Sequence, residues 1–142
     1  MSEYTGECLF CKFIKREIEP TIIYENDYVL AFLDITPAGT LEGHTLVLPK
    51  KHFENIYEMD EEYLGHVIKA VQKIAIAVKK ASRADGINIL QNNGKIAGQG
   101  IMHVHFHIIP RARGDGIIID ENRRNMKPME ALEVSKAIRK EL

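Results

Sequence analysis

The spacing of apolar positions changes period several times along the chain, and each change marks an element. From Tyr63 to Val78 the apolar residues fall at 64, 67, 68, 71, 74, 75 and 78, a stripe that predicts an amphipathic helix. Asp60 suits its N-cap, Glu61 and Glu62 its first turn, Lys79 and Lys80 its last. Ile76 lies off the stripe, where a partner surface could use it. Leu9, Phe10, Phe13, Ile14 and Ile18 predict a shorter helix over 9–18, ended by Pro20. "TIIYE" (21–25) and "YVLAFLD" (28–34), split by Asn26-Asp27, read as a hairpin, and "HTLVLP" (44–49) as a buried strand after the loop 35–43. "INILQN" (87–92) and "IMHVHFHIIP" (101–110) read as strands joined by the Gly-rich turn "NGKIAGQG". Residues 111–125 read as extended and irregular, and Pro128 opens a C-terminal helix ending near Leu142. Strands flanking one long helix predict an α+β fold with a mainly antiparallel sheet.

At 142 residues this is one domain, spanning 1–142, with a core over about 8–111 and an extension with a helix over 112–142. The 19 basic and 20 acidic residues leave a net charge of −1, so nothing draws the whole surface to nucleic acid or membrane. The basic stretches 49–51, 111–115 and 123–127 read as solvated faces, although Arg111 or Arg113 could meet distal phosphates of a longer substrate. His66, opposite the helix stripe, reads as a surface residue. No apolar run is long enough to span a bilayer, and no secretory leader is visible, so a cytoplasmic location is expected.

The chemistry concentrates in "HVHFHIIP" (103–110). Alternation along a strand puts His103, His105 and His107 on one face, ~7 Å apart in succession, with Val104, Phe106 and Ile108 on the other. Such a set could form a three-histidine metal site or a nucleophile with helpers. The glycines at 94, 98 and 100, with the amides of Asn92, Asn93 and Gln99, favour an anion such as phosphate. A neutral imidazole attacks phosphorus, and the reactive phosphoimidazole passes the group to water.

"HVHFHII" matches the His-x-His-x-His-x-x signature of the histidine triad (HIT) family, with x hydrophobic. "CLFCKFI", "VLAFLDITP", "GHTLVLPKKH", "NNGKIAGQ" and "IIPR" stand around it in family order, so the chain resembles the single-domain prokaryotic members over most of 8–111. The resemblance implies a homodimer of the HIT fold that cleaves at the α-phosphate of nucleoside monophosphate conjugates, either phosphoramidates or dinucleoside polyphosphates. It implies His105 as the nucleophile that forms a nucleotidyl-histidine, His107 near the α-phosphate, and His44 orienting the nucleophile. Asn92, Gln99 and the Gly98 backbone would hold phosphate oxygens, and Asp34 the ribose hydroxyls. Phe10, Phe13, Phe32 and Ile35 would line a pocket for a purine base. Many members carry Ser or Thr where Gly100 stands, so here a hydroxyl is lost while the N–H stays. That departure keeps open an alternative, a nucleotide-sensing module with little turnover. No organic cofactor is expected.

Cys8 and Cys11 are the only cysteines, at a spacing that suits metal or redox chemistry. His52 and His103 are the candidates to complete four ligands, and the resemblance implies that set as a structural zinc site.

Overall fold

The computed structural model describes residues 7–119 and 123–142. The first six residues of the expected domain, and 120–122 within the expected irregular segment, lie outside the described residues. The elements are α1 (Leu9–Ile14), β1 (Ile22–Glu25), β2 (Val29–Leu33), β3 (Thr45–Pro49), α2 (Glu61–Ser82), β4 (Gly86–Gln91), β5 (Phe106–Arg111) and α3 (Pro128–Lys140), with a short 3-10 turn at Lys95–Ala97. The five strands form one antiparallel sheet in the order β1-β2-β3-β5-β4. This is the expected α+β class.

Alternation divides the sheet into two faces. Val29, Ala31, Val47, Phe106 and Ile108 point to one side and pack with Val67, Ala70, Val71, Ile74 and Val78 of α2. Leu30, Phe32, Leu46 and Leu48 point to the other and pack with Phe10 of α1. At ~1.5–3 kcal/mol for each large side chain withdrawn from water, these contacts outweigh the weak helix propensity of β-branched residues and hold α2 on its face. The Asp60 carboxylate accepts from the Tyr63 N–H at 2.9 Å, as its position suggests. α2 runs past Val78 to Ser82 and closes on Arg83 in the left-handed region.

Two elements are shorter than their apolar spacing implies. α1 stops at Ile14 rather than Ile18, because Arg16 takes a positive φ of 60° and its guanidinium caps the Phe13 carbonyl at 2.7 Å. The same guanidinium pairs with Glu25 on β1. β5 begins at Phe106 rather than Ile101, since its pairing with both neighbours ends there, Val47 and Gln91 each facing Phe106. Residues 101–105 have no ladder partner, although the Val104 N–H donates to the Phe53 carbonyl at 2.8 Å. The side-chain alternation nonetheless continues through this stretch. Val104 is buried on the α2 side, while His103 and His105 meet the Phe10 ring on the other.

The extension after β5 is fastened at its root. Arg111 holds the Asp115 carboxylate (2.6 and 3.0 Å), Asn88 Oδ1 (2.5 Å) and the Ile117 carbonyl (3.0 Å). This guanidinium holds the Asp115 carboxyl well below the usual range, with burial opposing. Arg111 is therefore occupied, and the alternative that it meets distal phosphates is corrected. His66 is also placed differently from the expectation of a solvated residue: its ring stacks on Tyr28 at 3.7 Å between centroids and 6° between planes. Among the described residues, no helix is long and apolar enough to cross a membrane.

Candidate active site

The face of the sheet turned away from α2 carries the titratable groups. β3 and β5 pair with Leu46 opposite His107, which brings His44, two residues before Leu46, diagonally beside His107 on the same face. Their rings bond, His44 Nε2 to His107 Nδ1 at 3.0 Å. His44 Nδ1 accepts the Ala38 N–H at 3.0 Å, which fixes the tautomers in sequence. Neutral His44 then carries its proton on Nε2 and donates to His107 Nδ1, so neutral His107 carries its proton on Nε2. His44 is expected to orient the nucleophile, and the register places its ring directly against His107.

His105 is oriented by backbone instead. Its Nδ1 lies 2.7 Å from the His103 carbonyl oxygen, an acceptor only, so Nδ1 holds the proton and Nε2 keeps a lone pair. His105 is 6% exposed, and its ring centroid lies 5.0 Å from that of His107. Burial pushes His105 below the ordinary histidine range, partly offset by the His103 carbonyl and Asp34. Burial, helped by the neighbouring imidazoles of His105 and His44, lowers His107 to about 4. His44 is lowered by burial, with Asp34 opposing. All three are therefore neutral at physiological pH.

An apolar cleft of about 470 Å³ adjoins these rings, lined by Phe10, Phe13, Phe32, Leu46, Asp34 and Ile35 among others. The five residues expected to meet base and ribose thus come together in one hollow. Phe10 and Phe32 are nearly buried, whereas Ile35 is 83% exposed at the rim. The histidines do not line the hollow; Asp34 bridges the two regions, with Oδ2 3.7 Å from His44 Nδ1 and Oδ1 accepting from Thr36. Sequence reading did not single out Leu46 or Ile101 as cleft residues; for Leu46 the signal was available in its alternation with His44.

The Gly-rich loop differs from a simple cradle of free amides. The Gly98 N–H closes the 3-10 turn on the Lys95 carbonyl at 3.0 Å. The Gln99 side chain, 3% exposed, is a brace: its amide nitrogen donates to the carbonyls of Glu54 (2.6 Å) and Ile101 (3.1 Å), and its oxygen accepts from the Gly94 N–H (2.8 Å). These groups are engaged within the protein rather than open to a phosphate. Gly98 has φ +94°, a backbone conformation that favours glycine, and a Cβ there would stand 3.4 Å from Asn92 Nδ2. At Gly100 an added Cβ would meet nothing within 4 Å.

Cys8, Cys11, His52 and His103 converge, with one ligand atom from each within 4.8 Å of all the others. The pairs Cys8–His103, Cys11–His103, Cys11–His52 and His52–His103 stand at 3.5, 3.5, 3.3 and 3.1 Å. A tetrahedral zinc with bonds of ~2.3 Å to sulfur and ~2.0–2.1 Å to nitrogen would put its ligand atoms roughly 3.3–3.8 Å apart, so the set fits with small adjustment. His103 Nε2 donates to the Pro49 carbonyl at 2.9 Å, leaving the Nδ1 lone pair aimed into the cluster. Burial lowers His103 to about 4, the neutral form a metal takes, and burial with the Cys8 thiol raises Cys11 to about 12. These four residues lie close enough together to bind a metal.

The HIT domain family model matches residues 15–114. A protein named Hit from Bacillus subtilis is 43% identical over 138 residues, 95% of this chain and 94% of that one. An adenosine 5'-monophosphoramidase of Saccharomyces cerevisiae is 44% identical over 113 residues (79% and 68%), and an adenylylsulfatase of Arabidopsis thaliana 37% over 123 (87% and 61%). Among solved structures, a HIT family member from Bacillus subtilis superposes with TM-score 0.90 at 42% identity, covering 96% of this chain and 97% of that one. The unmatched share is smaller than α3, so the superposition extends into that helix. A zinc-bound histidine triad protein from Mycobacterium smegmatis superposes with TM-score 0.73 at 33% identity, covering 94% of each chain.

Proposed function

The chain belongs to the histidine triad (HIT) family, and from that premise we propose that it hydrolyses nucleoside monophosphate conjugates at the α-phosphate through His105. The observation that carries this reading is the bond from His105 Nδ1 to the His103 carbonyl, which leaves a lone pair on Nε2. In the first displacement that lone pair bonds to phosphorus, and the bond from phosphorus to the leaving nitrogen or oxygen breaks. The leaving group departs with the bonding electrons and takes a proton from solvent, while the His107 Nε2–H, held in place through His44, donates a hydrogen bond to the departing atom and keeps its single proton. Water then attacks phosphorus and gives a proton back to solvent, the bond to His105 breaks, and a nucleoside monophosphate leaves. Asn92 and the Gly100 N–H contribute the phosphate contacts, with Gly98 and Gln99 shaping their loop. Asp34 accepts from the ribose, and Phe10, Phe13, Phe32 and Ile35 enclose a purine. The relatives named as monophosphoramidase and adenylylsulfatase support adenylyl conjugates with an amine or sulfate leaving group.

Cys8, Cys11, His52 and His103 hold a structural zinc in this reading, which ties α1 to the sheet. The chain acts as a homodimer in this reading: β4 is an edge strand paired with β5 on one side only, and its Ile89 and Leu90 are exposed. The test is incubation with adenosine 5'-phosphoramidate, adenosine 5'-phosphosulfate and a dinucleoside polyphosphate, followed by mass analysis of quenched protein. An adenylyl adduct on His105 and released AMP are expected. AMP release without any adduct on wild type or slow variants overturns the covalent route. Gly100 favours one second reading, a nucleotide sensor, which tight AMP binding without turnover of any of the three compounds would establish.

A further inference from the structure

The loop between β2 and β3 carries the backbone group that sets the proton of His44, yet it does little to hold itself. Its base is closed by the Asp34 N–H on the His44 carbonyl at 2.8 Å. From Ile35 to Gly43 no further backbone–backbone hydrogen bond follows among the described residues. The Ala38 N–H that reaches His44 Nδ1 at 3.0 Å therefore sits in a stretch whose shape depends on other contacts.

The segment after β5 supplies one. Ile117 fills the space beside Gly39: a Cβ at Gly39 would stand 2.8 Å from Ile117 Cδ1 and 3.8 Å from Asp115 Cβ. Gly39 has φ +79°, in the left-handed region, so the residue next to Ala38 is one that leaves this space open. Ile117 is in turn held from behind. Its N–H donates to Asp115 Oδ1 at 3.0 Å, and its carbonyl accepts from Arg111 Nη2 at 3.0 Å. The Asp115 carboxylate, 8% exposed, also accepts the Ala112 N–H at 3.1 Å and two nitrogens of the Arg111 guanidinium. A buried carboxylate with four donors is a stiff anchor.

Two groups compete for His44 Nδ1. The Ala38 N–H requires a lone pair there, whereas the Asp34 carboxylate, with Oδ2 at 3.7 Å, draws a proton to the same nitrogen. Once the loop drifts, the carboxylate wins. His44 then carries its proton on Nδ1 and turns a lone pair on Nε2 toward His107 Nδ1. His107 answers with a proton on its own Nδ1, and its Nε2 changes from donor to acceptor. One proton has changed sides on each ring, and neither ring has gained or lost charge.

We propose that Ile117, braced by the Arg111–Asp115 pair, is a positioning residue for the active site: it seats Gly39, which keeps the Ala38 N–H on His44 and the His107 proton on Nε2. The effect on turnover rests on the function proposed above, in which the His107 Nε2–H meets the departing atom; the tautomers can be read without turnover.

Two-bond proton–nitrogen correlation spectra of the imidazoles in the full chain, beside kinetics, test this. Wild type is expected to show His44 and His107 protonated on Nε2. In Ile117→Ala the protonated and unprotonated nitrogen signals of His44 should trade places or merge toward an average, and those of His107 should follow. Asp115→Asn, which loosens the anchor without shortening Ile117, should do the same, and Ile117→Leu, which restores the reach, should behave as wild type. Ile117 stands outside both core clusters of the described residues, so circular dichroism should report a folded body in its variants. In Ile117→Ala, kcat for adenosine 5'-phosphoramidate should fall at least ~10-fold with KM within about twofold of wild type. The nitrophenyl ester of AMP, whose weakly basic leaving group departs without a proton, should lose less than about threefold. His44 signals that stay as in wild type in both Ile117→Ala and Asp115→Asn overturn the inference. So does a wild-type His44 protonated on Nδ1, or an Ile117→Leu variant that swaps as fully as Ile117→Ala. A swap of tautomers with phosphoramidate turnover intact upholds the seat and overturns the part given to His107 in the proposed reaction.

Discussion

The two faces of the sheet are built from the same strands and to different ends. The α2 side gathers thirteen buried residues, all apolar, from three strands, the helix and the segments between them. The opposite side has an apolar cluster of only five, and beside it stand His44, His103, His105, Asp34 and the two cysteines. Period-two alternation allows this division: along 103–107, Val104 and Phe106 pack under α2 while the histidines between them face the other side. One face therefore holds the fold while the other can carry desolvated imidazoles, whose burial is offset by backbone carbonyls and by one another.

The division is tested most severely at His105. His105→Asn is expected to lower turnover by at least ~10³-fold while Tm stays within a few degrees of wild type, measured by AMP release and calorimetry. A large loss of Tm would mean that this face also carries the fold. Ile74→Ala, on the other side, is expected to cost ~2–5 kcal/mol in denaturant melts and to leave adduct formation per folded molecule unchanged. Replacing Cys8 and Cys11 by Ser should abolish metal binding, measured by elemental analysis, and lower Tm by roughly 5 °C. Catalysis at low temperature should survive in that variant.

Smaller effects sharpen the picture. In the proposed route neutral His105 attacks, and burial favours that form, so the acid limb of kcat/KM should lie below the ordinary histidine value of ~6.5. The same sign governs stability. Below pH ~6.5 the unfolded chain takes up protons that His107 refuses until about 4, so folding free energy should fall across that window. Last, Gly100→Ser fits without a clash and restores a hydroxyl donor, so a rise of a few-fold in turnover is expected; no change would place that hydroxyl outside the reaction.

The alternation of "HVHFHII" showed which histidines would share a side, and it continues at 103–105, where no ladder exists. The ladder's limits were not legible, because they depend on where β3 and β4 stop pairing, some fifteen to sixty residues away in sequence. The cleft residues Phe10, Phe13, Phe32, Asp34 and Ile35 were named through resemblance and lie together. Backbone partners were the blind spot. Nothing in residue identity says that Ala38 fixes the His44 tautomer, that the Gly98 N–H closes a turn, or that Gln99 braces its loop. The bond between His44 and His107 was hidden for a related reason: the register, and not the motif, sets it.

His103 lends its ring to the Cys8–Cys11–His52 cluster and its peptide oxygen to His105, 2.7 Å from Nδ1 of the proposed nucleophile. A scan that exchanges side chains will therefore misjudge this position. Cysteine at 103 can keep a ligand and leaves the oxygen in place. A proline at 104 changes no group in either centre, yet it deletes the N–H that anchors this peptide to Phe53 and swings the oxygen away. A damaging replacement within the triad segment thus falls on a valine as well as on the histidines.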